Sequence, residues 1–180
     1  MPIGHKIDDQ YSTYFLTFTV VNWIDIFTRQ VYRDQFLDSL RFCQQNKGLV
    51  VHAWVIMSNH AHLVLSSEDG NLSGIVRDLK TFTSKSIIAT AKSAEESRSV
   101  WMLKLFAEEA KKHKRNKNYQ VWIHDNHPVE LYSNKFIDQK INYIHENPVA
   151  AGIVEKAEDY LYSSARDYVG SKGLLSVIIL

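Results

Sequence analysis

Two apolar, β-branched runs separated by only two residues constrain this chain more than any other feature. Leu49 to Met57 (LVVHAWVIM) and His60 to Ser66 (HAHLVLS) each have the length and composition of a buried strand, and Ser58-Asn59 between them suits a tight turn. The flanking patterns place further elements around this pair. Ser12 to Val21 (STYFLTFTVV) alternates, with Tyr14, Leu16, Phe18 and Val20 on one face, as a strand requires. Phe36, Leu37, Leu40 and Cys43 recur at helical spacing and predict a helix from about Gln30 to Asn46, with Gly48 as its stop. Asn71 can cap a second helix, reaching about Ala91, whose apolar positions are Leu72, Ile75, Val76, Leu79 and Phe82.

After the polar stretch AKSAEESRS, Trp101 to Lys114 is helix-like through Met102, Leu105 and Phe106. Tyr119 to Ile123 is a short strand candidate. Ser133 or Asn134 then caps a helix seamed by Ile137, Ile141 and Ile144, with Pro148 near its end. The tail LLSVIIL has the character of a final edge strand. Strand, helix, strand, strand, helix, then strand and helix predicts an α+β, ferredoxin-like sandwich, an antiparallel sheet with helices packed on it.

Composition narrows the function classes. The chain has 180 residues, 45% of them apolar and 23% charged, which suits one globular domain over 1–180 and excludes wholesale disorder. Lys and Arg total 21 against 20 Asp and Glu, so any polyanionic partner must be met by local clusters. No apolar run approaches the ~18 residues of a bilayer span, and the start, MPIGHKIDD, lacks the apolar core of a signal peptide. Cys43, the single cysteine, lies on an apolar helix face, which fits core packing and a reducing, cytoplasmic compartment.

Three features could carry chemistry. His60 and His62 are two apart on a strand, so both imidazoles share a face and form half of a divalent-metal site. The bland reading is chance: roughly a third of shuffled chains with this many histidines would hold some H-x-H. Tyr143 and Asn147 are four apart on one helix face, beside the isoleucine seam and within reach of a site at the helix edge; by themselves they are better explained by packing and C-capping. His145 projects to the other side. The run Lys111, Lys112, His113, Lys114, Arg115, Asn116, Lys117, followed by Tyr119 and Trp122, has the basic-plus-aromatic composition of a single-strand nucleic-acid surface, and also of a solvated helix end. Arg77, Lys80 and Lys85 could extend that surface.

Taken together, these residues resemble the REP-associated tyrosine transposases, relatives of the single-strand insertion-sequence transposases in the HUH nuclease superfamily. The resemblance is carried by Tyr14 to Phe18 (YFLTF), His52 to Leu63 (HAWVIMSNHAHL), Tyr143 to Val154 (YIHENPVAAGIV) and Tyr160 to Ala165 (YLYSSA), in the family's order over about residues 11–168. Ala61 departs from the bulkier apolar residue usual between the two histidines. The resemblance implies His60 and His62 as metal ligands, Tyr143 as the nucleophile and Asn147 as a third ligand, with Gln139 as a rival for that place. It implies Mg²⁺ or Mn²⁺ as cofactor, and manganese best satisfies both the family and the softness of imidazole.

The implied substrate is single-stranded DNA bearing REP-like hairpins in a bacterial cell, cleaved and rejoined through a 5′-phosphotyrosine. Hairpin contacts are expected from Lys111, Lys112, Lys114, Arg115, Lys117, Trp122, Arg77 and Lys80. No membrane and no small-molecule substrate are expected. The tyrosine could complete the site of its own chain or that of a homodimer partner. A hairpin-binding protein without catalysis is the alternative on the same fold; a small metal hydrolase using His60 and His62 is a third reading.

Overall fold

The computed structural model describes residues 6–114 and 118–180. Its core is a four-stranded antiparallel sheet of β1 (Tyr14–Thr19), β2 (Leu49–Ile56), β3 (His60–Ser67) and β4 (Val129–Glu130), in the order β2-β3-β1-β4. With α1 (Gln30–Lys47) between β1 and β2 and α2 (Leu72–Ala91) after β3, this is the split βαβ arrangement of a ferredoxin-like sheet. Then come α3 (Ser99–Lys111), α4 (Asn134–Ala150) and the short α5 (Ala165–Tyr168).

Strand alternation sorts side chains into two cores. Tyr14, Leu16 and Phe18 of β1 and Ala61, Leu63 and Leu65 of β3 join the larger core, which α1, α2 and α3 cover. Phe15 of β1 and Val64 of β3 face the other way and pack with Ile141 and Ile144 of α4. Strand β2 also serves both cores, and a bulge between Val51 and Ala53 shifts its phase. The extra residue, His52, re-phases the strand, so Trp54 and Ile56 face the larger core while Ala53 and Val55 face α4. The His52 ring is held between the Ile178 carbonyl and the Ser66 hydroxyl, each at 2.8 Å.

Ser58-Asn59 is a weak turn pair on its own, and tertiary bonds hold it. The Asn59 carbonyl accepts from Val20 N–H at 3.0 Å and the Ser58 carbonyl from Phe27 N–H at 3.0 Å. At the start of α4 the Ser133 hydroxyl accepts from Phe136 N–H, as expected of a cap. Asn71 sits at the start of α2 without a capping bond from its side chain. Helix α4 runs through Pro148 to Ala150; buried Ile144 and Pro148 anchor the turn that the proline would otherwise loosen.

Several expectations need correction. Helix α3 begins at Ser99 and ends at Lys111, short of Lys114. Phe82 is exposed, stacked loosely on Phe42 with ring centroids 6.0 Å apart. The apolar tail forms no strand; its ladder contact is Ile178 N–H to the Val51 carbonyl, on the free side of β2. Residues 119–123 follow β1 through a single bridge, Val20 to Trp122, and two backbone bonds, Val21 N–H to Val121 and Ile123 N–H to Thr19.

That bridge turns Trp122 inward. It is 4% exposed, packs against Phe18, Phe27 and Phe36, and donates its indole N–H to the Thr83 hydroxyl at 2.9 Å. Its ring is used in the core, in contrast to the sequence expectation of a DNA-contacting Trp122. Replacing a filled aromatic site by Ala typically costs about 3–5 kcal/mol. Trp122→Ala is therefore expected to lose that much in urea unfolding; a loss under 1 kcal/mol would show that the ring is not core.

Candidate active site

The register of β1 against β3 builds the site. Thr17 pairs with His62 and Thr19 with His60, so the two histidines and both threonines point toward α4. The His60 and His62 rings lie with centroids 4.8 Å apart. His60 Nδ1 is 2.7 Å from Asn59 Oδ1, an acceptor that fixes the proton on Nδ1 and leaves the Nε2 lone pair free. His62 Nδ1 is 2.9 Å from Thr17 Oγ1, and Phe15 stacks on the same ring at 5.3 Å.

Helix α4 brings Tyr143 to this pair. Its ring centroid is 5.2 Å from that of His62 and 6.0 Å from that of Phe15. The sequence placed Tyr143 beside the isoleucine seam, and so it sits: Ile144 is fully buried while Tyr143 is 50% exposed. Asn147 follows one turn later, half-buried. Gln139 is exposed. His145 points away from the site, buried on the other flank of the helix with Nε2 2.8 Å from the Ser164 hydroxyl, and burial pushes its pKa down to about 4.

Burial also keeps the paired histidines neutral. Desolvation lowers His60, and desolvation, with His60 and Lys140 adding, pushes His62 down to about 3. Neutral imidazole is the form that ligates a metal. Among the described residues no group of three or more His, Cys, Asp or Glu could hold a metal ion. The donors brought together at this face are thus the two imidazoles, with Asn147 four residues beyond Tyr143 on α4.

The expected DNA-contacting residues lie elsewhere. Lys111, Lys112 and Lys114 are exposed at the end of α3, with Lys112 paired to Glu109 at 2.7 Å. Arg115 and Lys117 fall outside the described residues. Arg77 is exposed on α2, forked onto its neighbour Asp78. Lys80 is engaged within the fold: its ammonium donates to the Ile123 and His124 carbonyls at 2.7 and 3.0 Å, and burial lowers its pKa to about 8. It ties α2 to the segment beside β1. Arg77, Lys80, Lys85, Tyr119 and His124 line a groove of about 350 Å³ there.

Sequence reasoning missed Thr17, Asn59, Phe15 and Lys140. Thr17 and Phe15 had a readable signal, since strand alternation puts both on the face opposite Tyr14 and Leu16. Asn59 looked only like a turn residue.

A paired-histidine strand thus lies under a tyrosine-bearing helix on a ferredoxin-like sheet. A sequence model of the family described as "Transposase IS200 like" matches residues 10–127, and the chain belongs to that family. The match includes His60 and His62 and stops before α4, so the position of Tyr143 rests on geometry. No curated protein matches the chain. Among solved structures, a REP-associated tyrosine transposase bound to a REP hairpin is similar at TM-score 0.60 and 17% identity, over 99% of this chain and 92% of that one. A putative transposase from Deinococcus radiodurans R1 is similar at TM-score 0.46 and 17% identity, over 81% of this chain and 97% of that one. At these identities the likeness concerns the fold.

The His62 shift has a measurable consequence. Its folded pKa lies below that of the unfolded chain, so protonation favours unfolding. The associated stability is complete above the ordinary imidazole range and is lost as pH falls toward 3. Imidazole ¹⁵N spectra of the metal-free protein should show His62 neutral at pH 5; protonation near pH 6.5 would contradict its burial.

Proposed function

We propose that this protein is a metal-dependent single-stranded DNA transesterase that cleaves and rejoins DNA beside hairpins. One observation carries the reading: Tyr143 meets His62, and His62 meets His60, within one chain. That proximity supports a reading in which one phosphate would meet both the tyrosine and a cation held by the histidines.

Tyr143 Oη attacks the scissile phosphorus. A P–Oη bond forms as the P–O3′ bond breaks, giving a 5′-phosphotyrosine and a free 3′-hydroxyl. The phenolic proton passes to solvent, and the departing oxygen takes one up. Attack by another 3′-hydroxyl reverses the step and joins two strands without an energy source. Mg²⁺ or Mn²⁺ held by His60, His62 and Asn147 would supply positive charge opposite a non-bridging phosphate oxygen. The residues suit that ion. Both rings are neutral, Asn59 directs the His60 Nε2 lone pair outward, and Nδ1–H donation from His62 to Thr17 would do the same for the second ring.

The REP hairpin named for the similar solved structure is carried here as the proposed substrate class. Arg77, Lys111, Lys112 and Lys114 are exposed and suited to phosphate contacts, with Arg115 and Lys117 as further candidates by composition.

The test is covalent capture. A library of single-stranded oligonucleotides, each an imperfect hairpin with a randomised flank, is incubated with protein and Mn²⁺ and then denatured. Wild-type protein should retain linked DNA, chelator should abolish it, and Tyr143→Phe should reduce it by about 10³-fold or more. No adduct with any hairpin, or an undiminished one in Tyr143→Phe, would overturn the reading.

The threonine gives a second check. Thr17→Val removes the oxygen that orients His62 and should weaken Mn²⁺ binding about 10–100-fold by calorimetry. Unchanged affinity would remove Thr17 from the ligand-orienting role.

A further inference from the structure

Helix α4 carries a further, less buried stripe. Phe136, Lys140, Tyr143 and Asn147 fall at i, i+4, i+7 and i+11, one face of the helix, beside half-buried Ile137 and the buried Ile141, Ile144 and Pro148. The second member is a cation in an aromatic setting. Its ammonium lies 4.7 Å from the Phe15 ring centroid, 5.5 Å from that of Phe136 and 5.9 Å from that of Tyr143. A lysine at a helix surface ordinarily extends into water or meets a carboxylate. None of the ion pairs among the described residues includes Lys140. Ring faces attract the cation, yet they leave its three N–H groups without strong acceptors.

We propose that Lys140 is a catalytic residue whose ammonium binds a non-bridging oxygen of the phosphate attacked by Tyr143. This rests on the transesterase reading above. Negative charge gathers on the phosphate oxygens as the phenolic oxygen approaches, and an ammonium there would add to the charge of a bound cation. An ammonium on a flexible stem, one turn from the nucleophile, can reach a phosphate that Tyr143 also reaches. The aromatic platform holds it there before substrate arrives, so little reorganisation is needed at the moment of reaction. Phe15 takes part in both halves of the site, since its ring contacts His62 and lies under Lys140.

The experiment uses one hairpin oligonucleotide recovered from the capture library, with full-length wild type, Lys140→Met and Lys140→Arg. Lys140→Met keeps the apolar stem over Phe15 and removes the charge. Its single-turnover rate of adduct formation should fall about 10²-fold, while hairpin affinity stays within about threefold, which also shows that the variant is folded. Lys140→Arg should recover most of the rate. A methylphosphonate at the scissile position removes the anionic oxygen, and there the ratio of wild type to Lys140→Met should collapse to within a few-fold.

A Lys140→Met rate equal to wild type overturns the assignment, and so does an equal loss on phosphate and methylphosphonate. A variant too unstable to bind the hairpin is replaced by Lys140→Gln, read by the same two ratios. Absence of any wild-type adduct sinks the transesterase reading and this assignment with it; a normal rate in Lys140→Met sinks the assignment alone.

Discussion

The pairing of β3 with β1 is the constraint on which the rest depends. Side chains alternate with period two, so a slip of one residue would carry His60 and His62 into the larger core and push Ala61 and Leu63 onto the α4 face. Such a slip is strongly opposed. It would bury two imidazoles among aromatic rings without partners, and it would set aliphatic side chains where Thr17 and Asn59 offer polar atoms. The apolar rows Tyr14, Leu16, Phe18 and Ala61, Leu63, Leu65 thus fix the site indirectly, by leaving only one register in which both cores fill. The bulge at His52 serves the same end on β2, whose two halves would otherwise disagree about which face is which.

Charge is handled locally, as a chain with 21 basic and 20 acidic residues must handle it. The paired histidines are kept neutral by burial, a state that costs nothing above the ordinary imidazole range and preserves their lone pairs. Lys80 shows the opposite use of a cation. Held by two backbone carbonyls, it joins α2 to the segment beside β1 and gives structure more than recognition. Lys140, which forms no ion pair among the described residues, rests on ring faces. Three lysine environments, solvated on α3, bonded on α2 and stacked on α4, have the same sequence signature and different physical consequences.

Much of this was legible in the sequence, and the failures have causes. The strand pair around Ser58-Asn59, the alternation of β1 and the seam of α4 could be read because periodicity reports which face is buried. The proximity of His62 to Tyr143 could not be read from spacing, since it depends on how α4 lies over the sheet; the resemblance to hairpin-acting transposases supplied it as an expectation. Trp122 misled because an aromatic after a basic run looks like a stacking platform, and only the bridge to Val20 reveals that it points inward. The tail misled for a related reason. Its apolar residues do lie by the free side of β2, but His52 and Gln44 take the Ile178 and Ser176 carbonyls by side-chain bonds, where a strand would use backbone.

The contrast in exposure between the two halves of the site bears on what kind of molecule it can act upon. His62 is 6% exposed and braced by a strand, a hydroxyl and a stacked ring, whereas Tyr143 is 50% exposed on a helix edge. A small substrate would favour a closed cleft around both. On the proposed function, a polymer backbone is met by an exposed tyrosine while the paired histidines stay rigid beneath it. Helix α4 meets both demands because its two stripes are separate: Ile141, Ile144 and Pro148 fix it to the sheet, and the neighbouring row is left free to present Lys140, Tyr143 and Asn147. Any change that rotated the helix by a single position would exchange those rows, exposing the anchor and burying Tyr143. The packing of Ile144 against the sheet is therefore what keeps that tyrosine at the surface.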